Sequence, residues 1–295
     1  MYSRLHKGFM ALVLASFLYG LQGIFMRLIG TDFGVFYPLV IRAFVIAFLF
    51  AALLSMTQDY KRIVPADYKW FFLMPIVGVV AFVTIFVAIN HITIGAALFL
   101  HYASLTITGF VLGYLIFKER LNRIKFSCLL LSLAGLFLIF YASYLQEDFV
   151  YLGLAFVSGV AASAWYLLSK KLSSAYPYSQ ILMIDSAVVF LLGALFAFFL
   201  HETFFLPSFS LQWASVVGLT AVSFVALLLT VYGFRFLQAQ IATLVLLLEV
   251  VFGLVLALVL FAEIPTLQAL IGGTLILAGV ALPNLSLKSP QKLSM

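Results

Sequence analysis

The sequence predicts an all-α integral membrane protein, on the evidence of its composition and of recurrent apolar runs. Of 295 residues, 65% are hydrophobic and 9% are charged, and the mean hydropathy is +1.22, whereas an average soluble domain is about 25% charged. Runs of about 20 apolar residues, long enough to cross a bilayer as a helix, recur along the chain. Ten of them lie near residues 8–29, 34–56, 70–89, 93–116, 124–144, 149–169, 179–200, 212–234, 240–261 and 267–286.

An internal repeat divides these ten predicted spans into two sets of five. Residues 90–138 align without a gap on residues 234–282, which brings Glu119 onto Glu263 and Gly135 onto Gly279. Matches between leucines are close to chance in so apolar a chain. The matched glutamates and glycines are therefore the evidence for the repeat. The sequence therefore predicts two five-helix repeats, residues 1–146 and 147–295.

The basic residues separate by side when alternate ends of the spans are assigned to the two sides of a membrane. Fourteen of the 16 Lys and Arg residues fall on one side: Arg4, Lys7, Lys61, Arg62, Lys69, Lys118, Arg120, Arg123, Lys125, Lys170, Lys171, Arg235, Lys288 and Lys292. The positive-inside rule then places both termini in the cytoplasm. The acids Asp32, Glu147, Asp148, Glu202 and Glu263 fall on the outer side. The net charge of +6 is thus explained by topology, and we expect a lipid bilayer but no nucleic acid as partner.

The two repeats are predicted to be inverted with respect to each other. Five spans, an odd number, separate each residue from its equivalent, so Glu119 lies inside and Glu263 outside. Inverted repeats related by an axis in the membrane plane are the usual construction of secondary transporters.

Small residues in the spans favour close helix packing over ligand contact. Gly109 and Gly113 form a GxxxG motif in the fourth span. The fifth and tenth spans carry Ala-Gly pairs but no ionisable group in their apolar runs, which favours a scaffold role. Cys128, the single cysteine, is predicted to be a small core residue.

Particular residues in both repeats resemble one known family. The second repeat has Ala239, Ile241-Ala242, Leu248-Glu249-Val250, Phe261-Ala262-Glu263, Gln268, Gly272 and Leu277-Ala278-Gly279, and the first has Phe117-Lys118-Glu119-Arg120-Leu121 and Leu133-Ala134-Gly135. These motifs resemble the EamA-type repeat of the drug/metabolite transporter (DMT) superfamily. The resemblance implies ten helices around a cavity lined by helices 1, 3, 4, 6, 8 and 9. Members export amino acids and other metabolites, import or exchange S-adenosylmethionine or, in distant branches, exchange nucleotide sugars and triose phosphates.

Two ionisable residues are candidates for proton coupling. Glu249 lies near the middle of the ninth span, and its carboxylate could bind a substrate cation or cycle between charged and protonated forms. The equivalent position in the first repeat is Leu105, but His101 lies one turn earlier, where it could pair with Glu249 or exchange protons near neutral pH. Hydrogen bonds that only hold the bundle together are the structural alternative for both residues.

Arg42 and Asp185 occupy equivalent positions in the second and seventh spans. They could form an ion pair or bind a substrate carboxylate and amine separately. The family resemblance implies that their helices do not line the cavity, so a structural ion pair, or side chains that extend towards the membrane surface, is the favoured interpretation.

Polar and aromatic residues on the expected cavity helices complete the set of candidates. The predicted substrate-binding residues are Tyr19, Gln22, Asn90, His101, Tyr102, Trp165, Tyr166, Tyr232 and Glu249. The rings could stack on a planar or cationic solute, although in a chain with 17% aromatic residues a single ring is more often lipid-facing or part of the core.

The function predicted is a secondary transporter of the bacterial inner membrane for an amino acid or related metabolite, working by alternating access, with proton coupling as one version. The sequence lacks enzyme, ATP-binding and metal-binding motifs, so we predict no catalytic residue, cofactor or metal. One alternative is an exchanger for S-adenosylmethionine or nucleotide-like solutes. Another is a lipid flippase component or lipid-active enzyme that uses Glu119 and Glu263, for which helix-end capping is the favoured role. Monomer and homodimer both remain open.

Overall fold

The computed structural model describes residues 2–30, 33–34, 36–141, 148–203 and 205–287, with side chains from residue 4 to residue 282. Asp32, Glu147, Lys288, Lys292 and the predicted repeat boundary after residue 146 lie outside the described residues. Within those ranges the chain is helical and has no strand. The helices are α1 Tyr2–Ile29, α2 Phe36–Thr57, α3 Tyr68–Ile89, α4 Ile94–Phe117, α5 Arg123–Phe140, α6 Phe149–Ser173, α7 Tyr178–Phe199, α8 Leu211–Phe236, α9 Ala239–Leu246, α10 Leu248–Phe261 and α11 Leu267–Leu287.

The lengths and apolarity of these helices make the chain a multi-pass membrane protein. Nine stretches of the described chain are long and apolar enough to cross a bilayer, and one of them, Ala239–Phe261, comprises α9 and α10. The tenth predicted span corresponds to α11, which is apolar but shorter over Leu267–Leu282. α1 begins several residues before the predicted span, because Arg4 and Lys7 extend the helix beyond its apolar part.

Local signals in the sequence set several helix ends. Asn122, Asp148 and Ser210 accept hydrogen bonds from main-chain N–H groups in the first turns of α5, α6 and α8, as N-cap residues do. α4 and α10 end in the same way, since the residues after them, Lys118 and Ala262, both adopt a left-handed conformation with φ of 54°.

Contacts between loops show that alternate helix ends meet at the same end of the bundle. At one end, which we call the basic end, Gln180 Nε2 donates to Lys61 O at 2.7 Å and Lys125 Nζ donates to Gln240 Oε1 at 2.7 Å. At the other, the opposite end, Arg27 Nη1 lies 2.6 Å from Glu263 Oε1. The basic end comprises residues 58–67, 118–125, 170–178 and 235–240, and the opposite end comprises residues 27–30, 90–93, 200–203 and 262–266.

Helix packing follows a pattern that is unchanged when the two sets of five spans are exchanged. α1 packs on α8, and their equivalents α6 and α3 pack on each other. α4 packs on α6, just as α9 and α10 pack on α1. The pairs α2 with α7 and α5 with α11 join equivalent spans directly.

The α5–α11 pair depends on two close approaches between backbones. A Cβ atom on Gly272 would clash with Gly135 O and lie 2.7 Å from Ile139 Cγ1, and one on Gly279 would lie 3.0 Å from Cys128 O. Gly135 therefore meets Gly272 while Cys128 meets Gly279, so the two helices run antiparallel. Cys128 is fully buried at this contact, which confirms its predicted place in the core.

Buried polar side chains fill the basic end between α4 and α9. Glu119 and Lys125 are 8% and 7% exposed, and Gln240 is fully buried. The Glu119 carboxylate accepts hydrogen bonds from Ala239 N at 2.6 Å and Gln240 N at 3.1 Å. Every residue of α9 is buried, and Gly109 and Gly113 of the predicted GxxxG motif face Thr243 and Gln240, so the motif serves helix packing.

We expect Gly272→Ala to destabilise the bundle and Gly273→Ala to leave it unchanged. Both changes replace glycine by alanine at adjacent positions of one helix, but a Cβ on Gly273 meets nothing within 4 Å. Overpacking of this kind costs about 1–3 kcal/mol. Thermal unfolding of the two detergent-purified variants measures the difference, and equal midpoints would contradict the close α5–α11 contact.

Candidate functional site

Two adjoining chambers lie in the middle of the bundle among the described residues. The first, the Arg42 chamber, has a volume of about 210 Å³ and walls from α1, α2, α3, α6, α7 and α8. The second, the Glu249 chamber, has a volume of about 290 Å³ and walls from α1, α3, α4, α6, α9 and α10. Both are lined by Tyr19, Gln22, Ala81, Phe82, Ala162 and Tyr166. The shared walls make one composite site.

The Arg42 chamber holds charges of both signs. Arg42 and Asp185 both line it, and Trp165 Nε1 donates to Asp185 Oδ1 at 3.0 Å. Arg42 Nη1 lies 3.5 Å from Ser223 Oγ. Among the described side chains, no salt bridge within 4.0 Å joins Arg42 to Asp185, so both groups face the chamber beside neutral partners.

This arrangement corrects the expectation that Arg42 and Asp185 lie away from the cavity as a structural pair. α2 and α7 both contribute to the chamber wall, because they pack against each other and against α3 and α8. The family resemblance implied a cavity lined by helices 1, 3, 4, 6, 8 and 9, and the second and seventh helices were not among them. The sequence did carry a signal, since each charge occupies an equivalent position inside a span, where it is costly unless it faces water or a partner.

Glu249 faces the second chamber among tyrosine side chains. Its carboxyl group is close enough to the Tyr102 hydroxyl for the two to interact. Tyr19 and Tyr166 also line this chamber, and the Tyr19 hydroxyl is 2.9 Å from Thr230 Oγ1. The chamber that holds this carboxylate is therefore also lined by Tyr19, Tyr102 and Tyr166.

A break in the ninth span positions Glu249. Leu247 separates α9 from α10, and its N–H bonds to Leu244 O at 3.1 Å, a tighter spacing than that of an α-helix. Ser16 Oγ of α1 lies 3.1 Å from Val245 O, next to the break. Glu249 is consequently the second residue of α10, near the middle of the span. The three leucines around the break give no sequence signal for it, because neither Pro nor Gly is present.

His101 lines the Glu249 chamber but its described hydrogen bond runs elsewhere. His101 Nδ1 lies 2.8 Å from Ser158 Oγ, and that hydroxyl donates to Ala81 O at 2.7 Å. The histidine thus joins α4 to α6 and α3. Its hydrogen bond is of the kind expected for a residue that holds the bundle together, and it leads away from Glu249.

Two other predicted site residues lie outside both chambers. Asn90 follows the end of α3, where its side chain donates to Phe86 O at 2.8 Å. Tyr232 packs against Tyr178 and Phe236 towards the basic end. Residues of α3 and α8 line the chambers, but Asn90 and Tyr232 lie at positions that do not face them. Tyr19, Gln22, His101, Tyr102, Trp165, Tyr166 and Glu249 all line one chamber or both.

The composite site therefore offers a cation, two carboxylates and several rings to one solute. Among the described lining residues, Arg42 is the one Arg or Lys. A guanidinium binds a carboxylate, carboxylates bind an ammonium group, and tyrosine and tryptophan rings stack on planar or cationic groups.

Comparison with known proteins identifies the fold and the family. A model described as the EamA-like transporter family matches residues 6–141 and again residues 150–285. A solved structure, described only as the crystal structure of a protein, superposes with a TM-score of 0.79 and 19% identity over 98% of this chain and 100% of that one. At this identity the similarity concerns the fold alone. No curated protein matches the chain significantly.

Two successive matches to one family model cover most of the sequence and agree with its all-helical, multi-pass fold. They confirm the resemblance that the repeat motifs indicated. The chain belongs to the EamA-like transporter family and is a membrane transporter of the DMT type.

Proposed function

We propose that this protein is a secondary transporter that carries an amino acid or related zwitterionic metabolite by alternating access. The observation that carries this proposal is the composite site, in which Arg42, Asp185 and Glu249 line adjoining chambers at mid-bundle. A solute with one carboxylate and one ammonium group would complement these charges. A polyphosphate would not, because it needs more than one cation.

We also propose that the two repeats are inverted with respect to each other. The packing of equivalent spans supports this arrangement. α5 and α11 run antiparallel, and the contact of Gly135 with Gly272 mirrors that of Gly279 with Cys128. α2 and α7 are also antiparallel, because Phe36 stacks on Phe196 while Phe44 contacts Phe190. An inverted pair of modules can rock about a central site and expose it alternately to the two sides.

We assign the basic end to the cytoplasm and the protein to a bacterial inner membrane. The positive-inside rule supports the first assignment, since Lys61, Lys125, Lys170 and Arg235 all make their contacts at that end. Buried polar groups fill the space between α4 and α9 there. At the other end α10 packs mainly on α1 and α11. This difference favours a conformation closed to the cytoplasm.

Glu249 is the group we assign to proton coupling. None of the described residues that line its chamber is Lys or Arg, so its carboxylate can be neutralised either by a proton or by the ammonium group of a solute. Competition between proton and solute for one carboxylate would couple the movement of one to that of the other. The Tyr102 hydroxyl can accompany either form, because it donates to a carboxylate and accepts from a protonated carboxyl group.

Glu249→Gln should abolish the response of transport to a proton gradient, because an amide cannot exchange a proton. We expect the rate of amino-acid flux in proteoliposomes to become independent of pH and to fall at least tenfold. Asp148→Asn, the same chemical change at the exposed beginning of α6, should behave as the unchanged protein. Flux in Glu249→Gln that still follows pH would remove this residue from the coupling role.

Arg42→Gln should remove the preference for a solute carboxylate. Hydrogen bonds to charged groups contribute about 1.5–3 kcal/mol, so binding of an amino acid should weaken by about tenfold to 150-fold. The amino acid and its methyl ester should then bind alike. Thermal-shift titration with common amino acids, their methyl esters and S-adenosylmethionine measures the loss, because ligand binding raises the unfolding temperature.

Asp185→Asn is the matched control for this measurement, since it changes a charge of the other sign in the same chamber. It should keep the preference for the acid over the ester and weaken the binding of amines instead. Equal binding of acid and ester by the unchanged protein would contradict the assignment of Arg42.

A further inference from the structure

Glu119 and Glu263 occupy the same local backbone structure at the two ends of the bundle. Each follows a residue in the left-handed conformation, and each donates its N–H to the carbonyl six residues earlier, Glu119 to Gly113 at 3.1 Å and Glu263 to Ala257 at 3.3 Å. The backbone around the two glutamates is therefore the same. Any difference between their partners reflects the arrangement of the helices around them.

A cation accompanies each glutamate in an equivalent way. Lys170 Nζ lies 5.3 Å from the ring centre of Phe117, and the Arg27 guanidinium carbon lies 4.2 Å from that of Phe261. The two phenylalanines are equivalent in the repeat. Each end of the bundle thus carries one cation beside a ring and a carboxylate, and the ring and the carboxylate come from equivalent positions of the repeat.

At the basic end these charges bind the corner between α8 and α9, residues 234–240. The Glu119 carboxylate accepts hydrogen bonds from the N–H groups of Ala239 and Gln240. Lys170 Nζ donates to Phe234 O at 2.9 Å and also to Leu237 O. Unpaired N–H groups at the beginning of a helix attract anions and the last carbonyl groups of a helix attract cations, so the corner is held by charges of both signs.

At the opposite end the equivalent charges bind each other instead. Arg27 Nη1 and Glu263 Oε1 are 2.6 Å apart, and the two side chains are 56% and 50% exposed. The corner equivalent to residues 234–240 is that between α3 and α4, residues 90–96. Asn90 in this corner is exposed, whereas its equivalent Phe234 is fully buried, although Ile92 and Ala96 of the same corner are buried.

We propose that Arg27 and Glu263 form a reversible latch, in which Glu263 moves from the salt bridge to the α3–α4 corner when the opposite end closes. Glu263 would then accept hydrogen bonds from the N–H groups of Gly95 and Ala96, and Arg27, its partner in the open state, would be released. Lys170 and Glu119 would leave the α8–α9 corner in the same transition. This inference rests on the inverted repeats and alternating access proposed above.

The two closures differ in strength because the repeat is imperfect. At the basic end Lys125 and Gln240 add a buried hydrogen bond of 2.7 Å to the corner. Their equivalents at the opposite end are Ala269 and Ala96, which cannot form one. The protein without solute consequently rests closed at the basic end.

The test measures access to the site from the opposite end without any solute. A single cysteine replaces Ala162, which lines both chambers, in a Cys128→Ser background. Labelling by a membrane-impermeant maleimide is timed in vesicles of known orientation. Ala162 lies on α6, which carries neither latch residue.

A fixed salt bridge and a movable latch predict different results. Arg27→Gln releases Glu263 to close the opposite end, and should slow labelling from that side by about twofold to fivefold, the range for one exposed ion pair. Glu263→Gln removes the group that closes this end and should leave labelling equal or faster. Glu119→Gln, which weakens the basic-end closure, should slow labelling as Arg27→Gln does, whereas the neighbouring Lys118→Gln should have no effect.

Changes of the same sign in Arg27→Gln and Glu263→Gln, or no change in Arg27→Gln, would overturn the latch. This outcome is distinct from failure of the proposed function. Solute flux is measured separately, so flux could persist with the latch disproved, and the expected labelling pattern without any amino-acid flux would reject the proposed substrate alone.

Discussion

A charged side chain costs roughly 3 kcal/mol or more at the centre of a bilayer unless it faces water or a partner, and this chain places Arg42, Asp185 and Glu249 inside its membrane-spanning helices. All three face the adjoining chambers. The small residues that let helices approach elsewhere, such as Gly135 and Gly272 between α5 and α11, hold the bundle together without filling its centre. The close packing of the outer helices therefore leaves room for polar groups in the middle of the bundle.

The ninth span links this interior to the ends of the bundle. Its first half, α9, is entirely buried and begins at the N–H groups bound by Glu119. Its second half, α10, begins with the turn that contains Glu249 and ends beside Glu263. Because the break at Leu247 separates the halves, one span can stay fixed at the basic end while its other part packs on α1 and α11. A carboxylate at such a break is well placed to respond to movement of either half.

The sequence predicted the helices, the repeat and the family, because apolar length and the register of Glu119 with Glu263 are local or periodic signals. It also selected most chamber residues, including Tyr19, Gln22 and Glu249, from the rule that polar groups in a membrane avoid lipid. It did not predict that Arg42 and Asp185 line a chamber, because their position there depends on how α2 and α7 pack against the other helices. Asn90 and Tyr232 lie outside both chambers, since naming a helix does not fix which of its faces meets the cavity. The break at Leu247 has no signature in a run of leucines.

The proposed transport requires that the carboxylates of Glu249 and Asp185 lie in a water-filled site and not in a dry core. Labelling of native membranes with a water-soluble carbodiimide and an amine nucleophile, read by mass spectrometry, measures whether water reaches them. We expect both carboxyl groups to react and a bound amino acid to protect them, while the exposed Glu263 reacts in either case. Reaction at Glu263 with none at Glu249 or Asp185 would show that the site is dry and would exclude this mode of transport.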